Sequence, residues 1–186
     1  AGLGLGQATI RQLLDKLKSI YCTTVGYEID HLSSDKEKEW FYSHIEQMND
    51  HHLVSKEEQI QALKDLVDIE GFEQFIHNRF PGTKRFSVEG GESSILAVQE
   101  VIRSATMDNK VEDVLIGMPH RGRLNMLTKV MGKDYAAMLS EFQGNLAHMK
   151  ELNVSGDVKY HLGKSADYIT ADGNKVHLSL TANPSH

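Results

Sequence analysis

The chain has 186 residues, 40% apolar and 25% charged, with 20 basic against 26 acidic side chains and a formal net charge of −6. This describes one globular domain, or one domain with an appendage, large enough to bury a core. The acidic balance argues against a nucleic-acid surface or an anionic membrane as the main partner, although a local basic cluster stays open.

No apolar run approaches the ~18 residues of a membrane span, and no signal-peptide pattern opens the chain. The single cysteine, Cys22, allows no internal disulfide and fits a reducing compartment. Its expected place is a helix face, as a small buried hydrophobe.

Residues 1–8, opening "AGLGLG", read as a flexible tail, and without a preceding strand they are no dinucleotide fingerprint. Residues 9–85 read as helical. From Thr9, Ile10, Leu13, Leu14, Leu17, Ile20 and Tyr21 recur with helical spacing and predict one buried face. Ser34 and Glu37 form a capping box ahead of a second helix with Trp40, Phe41, Ile45 and Met48 on its apolar side. Ser55 and Glu58 open a third helix, with Ile60, Leu63, Leu66 and Val67 facing inward. Gly71 is expected to interrupt it, leaving Phe72, Phe75, Ile76 and Phe80 to a short further helix ended by Pro81-Gly82. His51-His52 lie in a linker and point apart, a poor metal pair. The ten histidines show neither HExxH nor a Cys/His ligand spacing.

Residues 86–186 change character. "KRFSVEGGES" ends an extended piece in two glycines and leads to a helix with Ile95, Val98, Ile102 and Ala105 on one face. "EDVLIGM" is a short continuous apolar run, as expected of a strand covered on both sides. After "HRGR" a helix is expected from Leu124 to Val130, closed by Gly132, and another from about Tyr135 to Phe142. Asp172-Gly173-Asn174 suits a hairpin turn between two β-like pieces, and "VHLSLTA" is a second central-strand candidate. Strand, helix, helix, strand predicts a parallel sheet and an α/β class, with the helical first half leading into it.

In such sheets ligands gather beyond the carboxyl ends of the strands. "VLIGM" delivers His120 and Arg121 to that edge, and "HLSLTA" delivers Asn183-Pro184-Ser185-His186. Arginine offers a forked donor set for phosphate or carboxylate, Gly122 lets backbone approach a ligand closely, and histidine binds an anion or moves a proton. The other reading of the same residues stays open: Arg121 and Arg123 pair with core or interface acids, and both histidines are structural donors.

The motifs "EGGES", "IGMPHRGRLN", "GDVKYHLG" and "ANPSH", in that order, resemble the thiamine-diphosphate-dependent 2-oxoglutarate dehydrogenase E1 family, and "KSIYCTTVGYEIDHLSS" resembles its helical segment. The resemblance covers nearly the whole chain. It implies that residues 86–186 begin a thiamine-diphosphate-binding parallel-sheet domain, left incomplete at the C-terminus. It also implies that His120 contacts the oxo acid, that Arg121 contacts the cofactor at its diphosphate, and that His186 is a second active-site histidine near the substrate carboxylates. Tyr160 and His161 fall in a stretch that approaches the site.

The implied activity is the citric acid cycle step that decarboxylates 2-oxoglutarate and passes the succinyl unit to the lipoyl group of E2, the dihydrolipoyl succinyltransferase. E1 itself is implied to be a homodimer. A 2-oxoadipate dehydrogenase, a non-enzymatic anion-binding module and an E2-docking module are the alternatives. Family members are several times longer. The magnesium-binding turn and the glutamate that activates the cofactor are therefore expected beyond the chain, which reads as an N-terminal fragment inactive by itself. "ADGN" at 171–174 is read as a hairpin turn and not as the metal loop. The implied setting is the bacterial cytoplasm or the mitochondrial matrix.

Overall fold

The computed structural model describes residues 3–47, 54–107, 111–143, 161–170 and 173–182. The chain divides into two compact units, Ala1–Ser55 and Lys56–His186. The helical stretch is shared between them, two helices in the first unit and one in the second. Among the described residues no helix is long and apolar enough to cross a membrane.

In the first unit, helix α1 (Ile10–Tyr21) starts at a complete capping box. The Gln12 amide donates to Thr9 Oγ1 at 3.3 Å and the Thr9 amide donates to Gln12 Oε1 at 2.9 Å. Helix α2 (Asp35–Gln47) begins with half of the expected box, Glu37 N donating to Ser34 Oγ at 3.4 Å. The Tyr21 hydroxyl donates to Glu46 Oε1 at 3.2 Å and ties α1 to α2.

The predicted apolar stripes are only partly covered. Ile20 and Ile45 are buried, but Ile10 is 78% exposed and Trp40 55%. Two helices of 12 and 13 residues give each other too little surface to cover both stripes. Cys22 is exposed just past the end of α1, contrary to the buried place expected for it.

In the second unit, α3 (Lys56–Arg79) runs 24 residues without a break at Gly71, where an interruption was expected. A Cβ at Gly71 would meet nothing within 4 Å, so the residue lies on the open side. Its cost of about 1 kcal/mol relative to alanine is small beside the burial of Ile69, Phe72 and Ile76 on the other face. Ile60, Leu63, Val67 and Phe75, expected inward, are exposed, because the unit's core meets only the second half of the helix.

Helix α4 (Ser93–Thr106) buries Ile95, Ile102 and Thr106. Ala105 is exposed and Thr106 takes the inner position, its hydroxyl satisfied by the Ile102 carbonyl at 2.8 Å.

Among the described residues three strands form one sheet in the order β1 (Asp113–Ile116), β3 (Lys175–Leu180), β2 (Lys164–Ile169). β1 and β3 are parallel, pairing Asp113 with His177 and Ile116 with Leu180. β2 and β3 form the predicted antiparallel hairpin, closed by Gly173 N to the Thr170 carbonyl and Thr170 N to the Asn174 carbonyl, both at 2.9 Å. Asp172 lies outside the described residues.

The architecture is therefore α/β, but the sheet is mixed where a parallel one was expected. A hairpin partner sits on β3 in place of a second crossover. Nor is β1 covered on both faces: Leu115 is 73% exposed, since β1 pairs on one side and the helices pack on one face. Val176, Leu178 and Leu180 of β3 join residues of α3, α4 and the 124–131 stretch in a single core.

After β1 the chain turns into α5 (Arg123–Asn125), which continues as a π-helical turn over Met126–Val130. Helix α6 (Tyr135–Phe142) follows on an Asp134 cap.

Candidate functional site at the carboxyl ends of the strands

Because β1 and β3 are parallel, their carboxyl ends lie on one edge. Thr181 N donates to the Ile116 carbonyl at 3.0 Å, and the Thr181 hydroxyl adds a second bond to it at 3.3 Å, so the ladder is closed just past both strands. Beyond this clamp each strand leads into a motif: 117–123 after β1, and 182–186 after β3.

The first motif makes a tight turn, with Arg123 N donating to the His120 carbonyl at 3.1 Å. Gly122 occupies the left-handed region at φ 75°, and its amide donates to the Phe86 carbonyl at 2.9 Å. A Cβ there would lie 2.9 Å from Val88 Cγ2 and 3.8 Å from Ile95 Cδ1. The glycine is thus required by the turn and by close packing against the core.

The turn sends three side chains to three fates. Half-buried His120 lies against Phe86, ring centroids 4.0 Å apart. Phe86 is itself left-handed at φ 42°, a conformation costing on the order of 1–3 kcal/mol and held here by the Gly122 amide on its carbonyl and the His120 ring against its side chain. Arg121 is exposed, and no hydrogen bond or ion pair to it is found among the described residues.

Arg123 is 0% exposed. Its guanidinium donates to the Met118 carbonyl at 3.3 Å, to the Leu162 carbonyl at 3.1 Å and to the Thr181 carbonyl. Its partners are main-chain carbonyls, not the acids that the alternative reading of the sequence supposed. Burial pushes its pKa below the ordinary arginine value, yet an arginine stays charged under any physiological condition. The Nε of Arg123 is buried with no partner among the described residues.

The loop 161–163 completes the edge. A Cβ on Gly163 would fall 2.7 Å from the Leu180 carbonyl oxygen and 2.9 Å from Ala182 N, so this turn rests directly on the end of β3. The pieces "MPHRGR", "HLG" and "TA", widely separated in sequence, therefore meet around one guanidinium. His161 is half-buried in that turn. Tyr160 and His186 lie outside the described residues, as do Asn183 to Ser185 and His51-His52.

A second buried polar group was not anticipated from the sequence. Glu73 of α3 pairs with Arg85 at 2.6 Å, accepts from Asn125 Nδ2 at 2.8 Å and accepts from the Val88 amide at 3.4 Å. This network fastens α3 to the residues beneath the Gly122 turn. Its signal was present: Glu73 falls four residues after Ile69 and three before Ile76, on the inward stripe of α3. Among the described residues no group of three His, Cys, Asp or Glu side chains is placed to hold a metal ion.

No family model matches the chain. It is 46% identical over 184 residues to the 2-oxoglutarate dehydrogenase E1 component of Rickettsia typhi, an alignment covering 99% of this chain and 19% of that protein. The Rickettsia felis protein of the same name is 47% identical over 184 residues, with 99% and 18% covered. That of Brucella anthropi is 48% identical over 185 residues, also with 99% and 18% covered. The chain thus spans about a fifth of the length of these curated relatives.

Proposed function

The chain belongs to the 2-oxoglutarate dehydrogenase E1 family as a segment about a fifth of its relatives' length, and from that premise we propose that it supplies one wall of a thiamine-diphosphate site. The protein it is part of, in this reading, decarboxylates 2-oxoglutarate and transfers the succinyl group to the lipoyl group of E2. Residues 86–186 begin the cofactor-binding α/β domain.

The observation that carries the site is the division of labour between two arginines on one turn. Arg123 is consumed inside the fold, while Arg121 is held outward beside His120 at the carboxyl edge of two parallel strands.

The donor set fits a diphosphate. An exposed guanidinium at a strand edge offers a planar fork to phosphate oxygens. It does not fit the accompanying magnesium ion, whose ligands we assign outside the described residues. Arg121 would hold the diphosphate, His120 would meet the oxo acid, and His186 would serve the substrate carboxylates. When bound, thiamine diphosphate supplies a nucleophilic carbon and an electron sink. The imidazole of His120, braced by the Phe86 ring, orients the substrate by hydrogen bonding and can accept or return a proton.

The relatives' shared name, E1 component, supports a place in a multienzyme complex with E2. A homodimeric E1 in a bacterial cytoplasm completes the reading. The same name favours 2-oxoglutarate over its one-methylene-longer homologue, a difference worth only about 1–3 kcal/mol in a pocket.

The test is release of carbon dioxide from 2-oxoglutarate by the whole protein, with thiamine diphosphate, magnesium and an artificial electron acceptor. Turnover that vanishes when thiamine diphosphate is omitted is expected. Cofactor-independent turnover, or none with 2-oxoglutarate, overturns the reading.

A further inference from the structure

We infer that Arg123 is a positioning residue of this site: its buried guanidinium sets the gap between the carboxyl ends of β1 and β3, and so aligns the segment carrying His120 with the segment leading to His186. The inference rests on the functional reading above for its effect on turnover, and on geometry alone for its effect on structure.

One terminal nitrogen of Arg123 reaches the Leu162 and Thr181 carbonyls, while the other reaches the Met118 carbonyl. These acceptors stand 5, 39 and 58 residues away in sequence. The planar fork acts as a spacer of fixed width between three pieces of main chain. A side chain that merely filled the core would need no charge. This one is fully buried, and its partners are carbonyl groups rather than a carboxylate, an arrangement that fixes position through direction-dependent bonds.

The spacer is coupled to the site at both ends. Arg123 N is bonded to the His120 carbonyl, and Thr181 lies two residues before the Asn183–His186 stretch. An independent feature marks the same junction. The turn at Gly163 lies against the main chain of Leu180 to Ala182 so closely that no Cβ fits there. The junction therefore has two settings of its width, one from the guanidinium and one from the missing side chain.

The test uses the whole protein carrying Arg123→Lys, and separately Gly163→Ala. Lysine keeps the charge but offers its donors from a single nitrogen, which does not span the three carbonyls. Both variants should keep wild-type far-ultraviolet circular dichroism. Hydrogen-exchange protection should fall in peptides covering 118–123, 161–163 and 181–182, and hold in the middle of the β2–β3 hairpin. The kcat for 2-oxoglutarate should drop roughly 10- to 100-fold, as expected for misplacement by about an ångström.

Wild-type kcat in a folded Arg123→Lys protein overturns the inference. So does loss of protection spread evenly over the hairpin, which would make the arginine simply cohesive. If Arg123→Lys does not fold, the same measurements are made on Gly163→Ala, and either of those two results there overturns the inference. A wild-type protein without 2-oxoglutarate turnover, in which exchange still changes only at the junction, sinks the functional reading and supports the positioning role.

Discussion

The guanidinium of Arg123 donates to the carbonyl of Thr181, joining two segments 58 residues apart at the point where β1 and β3 both end. Replacing Arg123 with methionine removes a buried charge, which by itself favours folding, but leaves the carbonyls of Met118, Leu162 and Thr181 short of their donor. Each lost charge-assisted bond weighs about 1.5–3 kcal/mol, so the loss should win. Arg123→Met is expected to lower unfolding free energy by about 2–4 kcal/mol, measured by urea denaturation. An unchanged or higher midpoint would show that these three bonds contribute nothing net.

Gly122→Ala should be costly for two separable reasons. The left-handed φ of 75° strains any L side chain, and the new methyl would sit 2.9 Å from Val88 Cγ2. Together these predict a loss of about 2–4 kcal/mol. Trimming Val88 to alanine removes the Cγ2 contact but keeps the Val88 Cβ at 3.0 Å, so Gly122→Ala with Val88→Ala should recover only part of the steric cost and fall short of Val88→Ala alone by the backbone strain and that remaining contact. Thermal denaturation of the three variants checks this.

Glu73 and Asn125 share one buried bond, so their truncations should not add. Glu73→Ala leaves the Arg85 guanidinium largely buried without its carboxylate and should cost about 3–5 kcal/mol. Asn125→Ala should cost about 1–3 kcal/mol. The double variant should be less destabilised than the sum by about 0.5–3 kcal/mol. Strict additivity in the cycle would mean that the 2.8 Å contact carries no energy.

The Tyr21 phenol is pushed up to about 12, first by burial and then by the charge of the Glu46 carboxylate, which also accepts its hydrogen bond. The folded state therefore holds this proton more tightly than the unfolded chain, where tyrosine titrates near 10. Its contribution to stability is fully present below about pH 10 and is lost as pH rises from there through about 12. Ultraviolet difference titration of Tyr21→Phe against wild type should show that the missing tyrosine is a late-titrating one. A missing component centred near 10 would refute the assignment.

In the whole protein, His120→Ala should cut 2-oxoglutarate turnover by on the order of 10²-fold or more, with the thermal midpoint little changed, because the ring is only half-buried. Arg121→Ala should act differently, weakening thiamine diphosphate binding roughly tenfold or more through loss of a charge-assisted contact while leaving the fold intact. Equal cofactor affinity in Arg121→Ala would remove that residue from the diphosphate.

Local patterns were legible in the sequence where a single helix or hairpin decides the outcome. The helix opening after Thr9, the 135–142 helix and the turn ending at Asn174 follow from neighbouring residues alone. Choices that depend on distant partners were not. Helical spacing allowed either Ala105 or Thr106 inward, and the Ile102 carbonyl that satisfies the threonine hydroxyl admits the latter.

Gly71 looked like a break because propensity was read without the burial flanking it. The β2–β3 hairpin was expected, but that it joins β1 in one mixed sheet was hidden because strand order is non-local. At the site, sequence located the carboxyl edge of β1 and a hairpin-backed central strand. It did not reveal which arginine faces inward: Gly122's conformation and its contact with Val88 set that, and Val88 lies 34 positions earlier in the chain.

The π-helical turn has a bearing on how this protein tolerates changes in length. From Gly122 through Thr128 every residue is buried, and Met131 is buried again after the wide turn in which its amide reaches back five positions to the Met126 carbonyl. An ordinary α-helix advances each residue by about 100°, so deleting one residue here would tighten the turn and swing Met131 off the core. Register in this stretch is then as constrained as residue type: substitutions of similar size can be absorbed, but a one-codon deletion has no conservative form.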